Sequence, residues 1–206
     1  MRGTILHFTA LIAVYLCAGC SILGPLPDRT RFFVLTPLPE APTGADVTMS
    51  ASGATYGLGP IRLPAYLERM EIATRTSAAE IIYSQNDYWA ESLSTNVSAV
   101  LLHNLDTLLG TDRIVLFPWA IDVAVDYQIQ ISFLRFECDA AGNSLLVARW
   151  EVADARDRRQ LVARETTLTR SGKANDTAAC VAGLSAALGG LSEEVAGALR
   201  ALPAGH

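Results

Sequence analysis

The chain has 206 residues, half of them apolar, and 21 acidic against 16 basic side chains give it a formal net charge of −5. This length suits one domain with a substantial core once a targeting segment is removed. The acidic balance argues against a nucleic-acid partner, because phosphate backbones are bound through clustered Lys and Arg. It also argues against a purely electrostatic attachment to anionic lipid head groups.

Residues 1–19 have the layout of an export signal. Arg2 precedes the apolar stretch Ile5–Leu16, and two small residues stand directly before Cys20. This pattern resembles a bacterial lipoprotein signal peptide, with one departure: Cys17 occupies a position that is usually Leu. The alternatives are an ordinary secretory signal or a short membrane anchor. The apolar stretch is shorter than the roughly 20 residues that a spanning helix needs.

The resemblance implies that Cys20 carries the acyl chains, palmitate among them, that hold the protein at the membrane. Two or more chains are needed for durable attachment, and a lipoprotein cysteine carries them. Ser21 lacks the Asp that commonly retains such proteins at the inner membrane, so we expect an outer-membrane anchor facing the periplasm. Residues 20–53 then form a Pro- and Gly-rich tether with one short strand, and residues 54–206 form the periplasmic domain.

Strand patterns come first along the mature chain, and helical patterns alternate with them afterwards. The predicted strands before the first helix are Arg31–Thr36, a short strand from Tyr56 that breaks at Pro64, Met70–Thr76 and Ala79–Ser84. The later strands are Val123–Phe133, Leu145–Ala153 and Gln160–Arg170. The predicted helices are Trp89–Gly110 and Thr177–Leu202.

Local signals refine these elements. Asn86 or Asp87 can cap the first helix, and Gly110 suits its carboxyl end. The apolar phase slips after Phe133, which indicates a β-bulge or a change of covered face. The order of elements predicts an α+β fold: a largely antiparallel sheet with two main helices packed on one face, in a single domain.

Cys138 and Cys180 remain after lipidation of Cys20. In an oxidising periplasm they are a candidate disulfide, and the alternative is two buried free thiols. Neither has a second ligand at the spacing of a zinc site, so no metal is expected.

The sequence offers little for catalysis. After residues 1–19 are removed, its histidines are His103, beside an apolar helix stripe, and His206 at the carboxyl end. There is no Gly-x-Ser-x-Gly elbow, and Gly57-x-Gly59-Pro60 lacks the third glycine of a phosphate loop. We therefore expect a protein that is not an enzyme and has no cofactor.

The most distinctive segment is Leu58–Leu93. It contains Leu-Gly-Pro-Ile-Arg-Leu-Pro-Ala-Tyr-Leu-Glu-Arg at Leu58–Arg69, Ile-Ala-Thr-Arg at Ile72–Arg75 and Tyr-Trp-Ala-Glu-Ser-Leu at Tyr88–Leu93. It resembles the ABC-type transport auxiliary lipoproteins, the group that includes paraquat-inducible protein C. The chain departs from the family pattern at Glu68, Met70, Tyr88 and Ser92, and Tyr88 replaces a usual Arg.

The resemblance implies a non-enzymatic outer-membrane lipoprotein of an envelope lipid transport system that supports membrane integrity. Its partners would be a mammalian-cell-entry (MCE) domain protein and an ABC transporter permease and ATPase, and copies could form a ring-shaped homo-oligomer. The second hypothesis is a pilot lipoprotein that helps to assemble an outer-membrane β-barrel. A third, a lipoprotein hydrolase, lacks a recognisable catalytic residue.

We expect the turn Pro60–Arg69 and the segment Tyr88–Glu91 to form a protein–protein contact, because amphipathic aromatic residues and Arg are typical of interface hot spots. The alternative roles are shaping a turn, surface ion pairs and core packing. The partner-interface residues on this hypothesis are Pro60, Arg62, Pro64, Tyr66, Arg69, Tyr88, Trp89 and Glu91.

Overall fold

The computed structural model describes residues 28–39 and 53–202. The expected signal segment and Cys20 lie outside these residues. The described part has one open sheet of eight strands and two α-helices. The strands are β1 (Arg31–Phe33), β2 (Tyr56–Arg62), β3 (Glu71–Arg75), β4 (Ile81–Trp89), β5 (Ile114–Leu116), β6 (Tyr127–Asp139), β7 (Ser144–Asp154) and β8 (Gln160–Arg170); the helices are α1 (Leu93–Leu109) and α2 (Thr177–Arg200).

The longest ladders join β6, β7 and β8 in an antiparallel meander, as the alternating pattern predicted. Every second residue of β6 from Ile129 to Phe133 is buried, and the register shifts between Phe133 and Arg135. The predicted slip of apolar phase is therefore a bulge. Beyond the bulge the buried apolar residues are Phe136 and Cys138, and Leu134 is left exposed.

Four pairings among the described strands are parallel, and the sequence did not indicate them: β1 with β4, β2 with β5, and β2 and β3 each with β6. Since β7 occupies the whole of one edge of β6, β2 and β3 share the other edge. β2 pairs with the first half of β6 and β3 with its end. The chain leaves the sheet between them through a short 3₁₀ helix at Ala65–Leu67.

Helix α1 begins later than predicted. Strand β4 continues through Trp89, and the helix starts at Leu93, where Ser92 Oγ accepts a hydrogen bond from Thr95 N. The predicted caps Asn86 and Asp87 were therefore wrong, because both lie within β4. Ser92, a departure from the family pattern, supplies the cap. The carboxyl end is as predicted, with Gly110 in the left-handed conformation.

Helix α2 is capped by Asp176, whose side chain accepts from Ala179 N. The two helices pack together on one face of the sheet, which confirms the α+β class. Gly189 allows a close approach, since a Cβ there would lie 2.6 Å from Leu38. No described helix has the length and apolar character required to cross a membrane.

The amino-terminal segment runs across both helices and is held there by their side chains. Three of its backbone amides donate to side-chain oxygens. The pairs are Leu35 N with Asn96 Oδ1 (2.6 Å), Thr36 N with Ser185 Oγ (3.1 Å) and Leu38 N with Asn104 Oδ1 (2.8 Å). Leu35 is buried among the core residues. Upstream, Arg31 makes two hydrogen bonds to Asp87 of β4.

Candidate partner-binding surface

The sheet face opposite the helices carries polar and charged side chains. Residues on this face of β6, β7 and β8 form, together with Arg62 at the end of β2, a groove of about 490 Å³. Its polar lining includes Arg62, Gln130, Ser132, Arg149, Glu151 and Glu165. An exposed ion pair, Arg149 Nε to Glu165 Oε2 at 2.8 Å, crosses it. Arg62, a predicted interface residue, is exposed here.

A buried carboxylate lies further along the same face. The Glu137 side chain has no solvent exposure, and four donors surround its two oxygens. Oε1 accepts from Arg75 Nε (2.7 Å) and Arg135 Nε (2.8 Å), and Oε2 accepts from Tyr66 OH (2.7 Å) and Phe136 N (2.9 Å). This cluster fixes the 3₁₀ helix that carries Tyr66 onto the sheet.

Electrostatics within the cluster follow from burial and pairing. Burial alone would raise the pKa of Glu137, but hydrogen bonds from Arg75, Tyr66 and Arg135 outweigh it and hold that pKa below its ordinary value. Burial, reinforced by the hydrogen bond to Glu137, raises the pKa of Tyr66 to about 12. Glu137 is therefore ionised and Tyr66 neutral at physiological pH.

Arg69 is exposed and lies in the bend just before β3. Its guanidinium stacks over the Tyr83 ring, 4.3 Å from the centroid, and it pairs with Glu71 at 3.1 Å. Tyr83 OH donates in turn to the carbonyl oxygen of Tyr66. Pro64 is half-buried and immediately precedes the 3₁₀ helix.

The segment Tyr88–Glu91 is the end of β4 and a turn, and it is not a helix start as predicted. Trp89 is only 4% exposed and belongs to the core, so its role is the alternative one of core packing and not a surface contact. Tyr88 is half-buried beside Phe32, with ring centroids 6.1 Å apart. Glu91 is exposed but accepts from Asn96 Nδ2, which orients the amide that holds the amino-terminal segment.

The two predicted parts are neighbours, because Trp89 N donates to the carbonyl oxygen of Met70 at 2.7 Å. Met70 is 41% exposed and Phe32 65% exposed, so both add apolar surface near Tyr88. The predicted residues therefore divide between this edge of the sheet and the groove beside Arg62.

Sequence reasoning missed an exposed apolar loop that follows β5. Phe117 is 53% exposed and Ile121 is fully exposed, although Phe117 N is hydrogen-bonded to the carbonyl oxygen of Leu58. The rings of Phe117 and Trp119 meet edge to face at 5.5 Å. The sequence did indicate an apolar segment here, because Ile114–Ile121 contains no charged residue.

Glycines of β2 allow this loop to lie against the strand. A Cβ on Gly57 would lie 2.7 Å from the Trp119 ring. Gly59 has φ +124°, and a Cβ on Gly59 would lie 2.7 Å from the Cβ of Phe117. Pro60 directly follows Gly59 on β2. We call Pro60, Phe117, Trp119 and Ile121 the loop surface.

The described residues contain no group of three His, Cys, Asp or Glu side chains that could hold a metal ion. His103 is an exposed residue of α1. Cys138 and Cys180 are joined by a disulfide between the end of β6 and the first turn of α2, with Cα atoms 6.1 Å apart.

The comparison with curated proteins finds no match. The family model of the ABC-type transport auxiliary lipoprotein component matches residues 33–196, most of the chain. The chain belongs to this family. The resemblance inferred from Leu58–Leu93 is thereby confirmed, and the match includes the loop surface.

Solved structures agree on the fold of this auxiliary lipoprotein. Protein XCC0632 from Xanthomonas campestris, assigned to family DUF330, is 18% identical, with a TM-score of 0.68, covering 82% of this chain and 93% of that one. An uncharacterized protein is 15% identical, with a TM-score of 0.66 and coverages of 82% and 98%. The PelC dodecamer from Paraburkholderia phytofirmans is more distant, at 17% identity and a TM-score of 0.43, with coverages of 74% and 91%.

Proposed function

We propose that this protein is a non-enzymatic, lipid-anchored subunit of an envelope lipid transport system. It docks the periplasm-spanning MCE-domain component, which works with an ABC permease and ATPase. Membership of the transport auxiliary family supports the general role. The anchor would be Cys20 and the site the outer membrane, as the signal-like segment and Ser21 indicate.

The observation that carries a docking role is the loop surface. It places one half-exposed and one fully exposed apolar side chain, Phe117 and Ile121, on a loop that is tied to β2. Arg62, two residues after Pro60 on the same strand, lines the charged groove. An apolar centre with a polar, charged margin is the usual composition of a protein interface.

Rigidity makes this surface suitable for binding. The Trp119 ring packs on Gly57, and the backbone of Phe117 is held by Leu58, so the loop loses little conformational freedom on association. An aromatic and an aliphatic anchor of this kind account for most of the free energy at many interfaces.

The test is affinity capture of the full-length tagged protein from detergent-solubilised envelopes, with partners identified by mass spectrometry. We expect an MCE protein, a permease and an ATPase to co-purify. The double substitution Phe117→Ser with Ile121→Ser should reduce their recovery about tenfold or more, because hot-spot anchors each contribute at least about 2 kcal/mol.

Ile82→Ser is the matched control, since Ile82 is 50% exposed but lies on β4, away from the loop. Recovery of the transporter with both variants at the wild-type level would refute docking through the loop surface. Recovery of an outer-membrane β-barrel in place of an MCE protein would favour the pilot hypothesis.

Two further parts of the proposal have direct tests. Cys20→Ser should release the protein from the membrane fraction, and density-gradient separation of the two membranes locates the wild-type anchor. The ring-shaped homo-oligomer implied by the family resemblance stays a prediction, and native mass spectrometry of the lipidated protein measures it.

A further inference from the structure

A second groove, also of about 490 Å³, lies where two hairpin turns meet at the end of the sheet. One wall is the turn between β3 and β4, which includes Ser77 and Ala78. The other is the turn between β6 and β7, which includes Ala140 and Ala141. Arg75 and Arg135 line the groove, and their side chains are 20% and 35% exposed.

The two arginines are held together by one oxygen atom. Nε of Arg75 and Nε of Arg135 both donate to Oε1 of Glu137, at 2.7 Å and 2.8 Å. Because each carboxylate oxygen accepts two hydrogen bonds, Glu137 has no capacity left for a third cation. Two positive charges therefore share one buried negative charge.

Arg135 has the larger unused donor capacity. A guanidinium has five N–H donors, and the contacts of Arg135 among the described residues use only its Nε. Arg75 additionally reaches the carbonyl oxygen of Ala78 at 3.4 Å and interacts with Tyr66. The terminal nitrogens of Arg135 thus form a fork that is oriented by a buried partner.

Acceptors in the groove are already occupied. Asp139 Oδ1 accepts from Asn143 N (2.8 Å) and its Oδ2 accepts from Asn143 Nδ2 (3.0 Å). Thr76 Oγ1 is hydrogen-bonded to Glu80. The groove consequently offers donors to a ligand, and the ligand it fits is rich in acceptors.

We infer that this groove binds a carboxylate on an acidic peptide segment, with Arg135 as the bidentate partner and Arg75 as the second cation. A planar fork matches a carboxylate with two parallel hydrogen bonds. The alanines of both turns leave room for a passing main chain, as in grooves that recognise extended peptides.

Charge favours a peptide over a phospholipid surface. Arg75 and Arg135 are balanced by Glu137 and Asp139, so the groove has no net formal charge to attract an anionic membrane from a distance. The chain as a whole carries −5. Recognition here depends on short-range hydrogen bonds, which a single carboxylate can satisfy. The inference does not depend on the transport role, since a defined peptide tests it.

The experiment measures fluorescence anisotropy of a labelled peptide, acetyl-Ala-Glu-Ala-Glu-Ala-amide, titrated with the full-length protein in neutral detergent. The matched peptide has Gln in place of Glu. We expect the Glu peptide to bind at least about tenfold more tightly, because hydrogen bonds between charged groups contribute about 1.5–3 kcal/mol. Unlabelled glycerol 3-phosphate serves as the lipid head-group competitor.

Variants of the protein locate the site. Arg135→Gln should weaken binding of the Glu peptide about tenfold, and Arg135→Lys should weaken it as well, because Lys keeps the charge but lacks the fork. Arg149→Gln is the matched control: it removes the same charge from the same face, at a side chain that is 68% exposed. Thermal unfolding checks that each variant is folded.

Equal affinity for the Glu and Gln peptides would overturn the inference. An equal loss of affinity for the Glu peptide with Arg135→Gln and with Arg149→Gln would overturn it too, because it would indicate a general charge effect. Displacement of the Glu peptide by glycerol 3-phosphate at lower concentrations than by unlabelled Glu peptide would also overturn it, in favour of a lipid head group. If Arg135→Gln does not fold, Arg135→Lys decides the result.

Discussion

Replacing Glu137 by Gln tests the buried cluster with the smallest change of shape. The carboxylate accepts four hydrogen bonds, and an amide in its place presents an NH₂ group to donors on one side. Breaking a buried ion pair by removing one partner costs about 3–5 kcal/mol. Because Arg75 and Arg135 are 20% and 35% exposed and can be partly hydrated, we expect the lower end, about 3 kcal/mol.

Urea denaturation of the full-length protein, followed by circular dichroism, measures this loss as a lower free energy of unfolding. A domain of this size should also lose roughly 6–12 °C in Tm. Glu165→Gln is the control, because the Arg149–Glu165 pair is exposed on both sides and should contribute less than about 1 kcal/mol.

The difference in free energy of unfolding between the wild type and Glu137→Gln should depend on pH in a definite direction. Folding lowers the pKa of Glu137 below its ordinary value of 4.5, so its contribution to stability is complete above that value. It is lost as the pH falls through the lower pKa of the folded state. The wild-type advantage over Glu137→Gln should therefore be full at pH 7 and shrink in acid. A difference under about 1 kcal/mol at pH 7, or one unchanged at pH 3, would refute the reasoning.

Three other predictions concern stability and are checked by denaturation curves. Cys138→Ala with Cys180→Ala should lower the free energy of unfolding by about 4 kcal/mol in the chain-entropy model, since the disulfide closes a 42-residue separation; a loss below 1 kcal/mol would contradict it. Ser92→Ala should cost about 1 kcal/mol as a lost helix cap, whereas Asn86→Ala should change little. Asp106→Asn should stabilise the protein by roughly 0.5–1 kcal/mol at pH 7, because burial raises the pKa of this carboxyl at a helix end, and the gain should vanish well below its ordinary pKa of 3.8; an equal gain at every pH would argue against a charge effect.

The meander and the helices could be predicted because their patterns are local. Strict alternation through Ile129, Ile131 and Phe133 indicates one buried face, and the shift of apolar phase after Phe133 indicates the bulge. The parallel pairings could not be predicted, since nothing in a strand such as Tyr56–Arg62 specifies a partner about 70 residues away. The start of α1 was misplaced because the polar run at residues 84–87 is typical of a strand end followed by a helix cap, whereas β4 continues through it to Trp89.

The candidate surface was predicted in part. The motif directed attention to Pro60, Arg62 and Tyr66, but not to the groups that surround them in space. Glu137 alternates with the buried residues Phe136 and Cys138, so the pattern places it on the polar face of β6 and does not show that it is itself buried. Its partners Tyr66 and Arg75 come from other parts of the chain and could be found only from the fold.

The amino-terminal segment determines how mechanical force enters the domain. If Cys20 anchors the chain as proposed, tension would reach the described residues at Asp28 and would have to detach the segment from β4, α1 and α2. Detachment would leave the side-chain oxygens of Asn96 and Asn104 buried without their amide donors, which is energetically unfavourable. The segment therefore lies between the two helices and is bound to both of them as well as to strand β4.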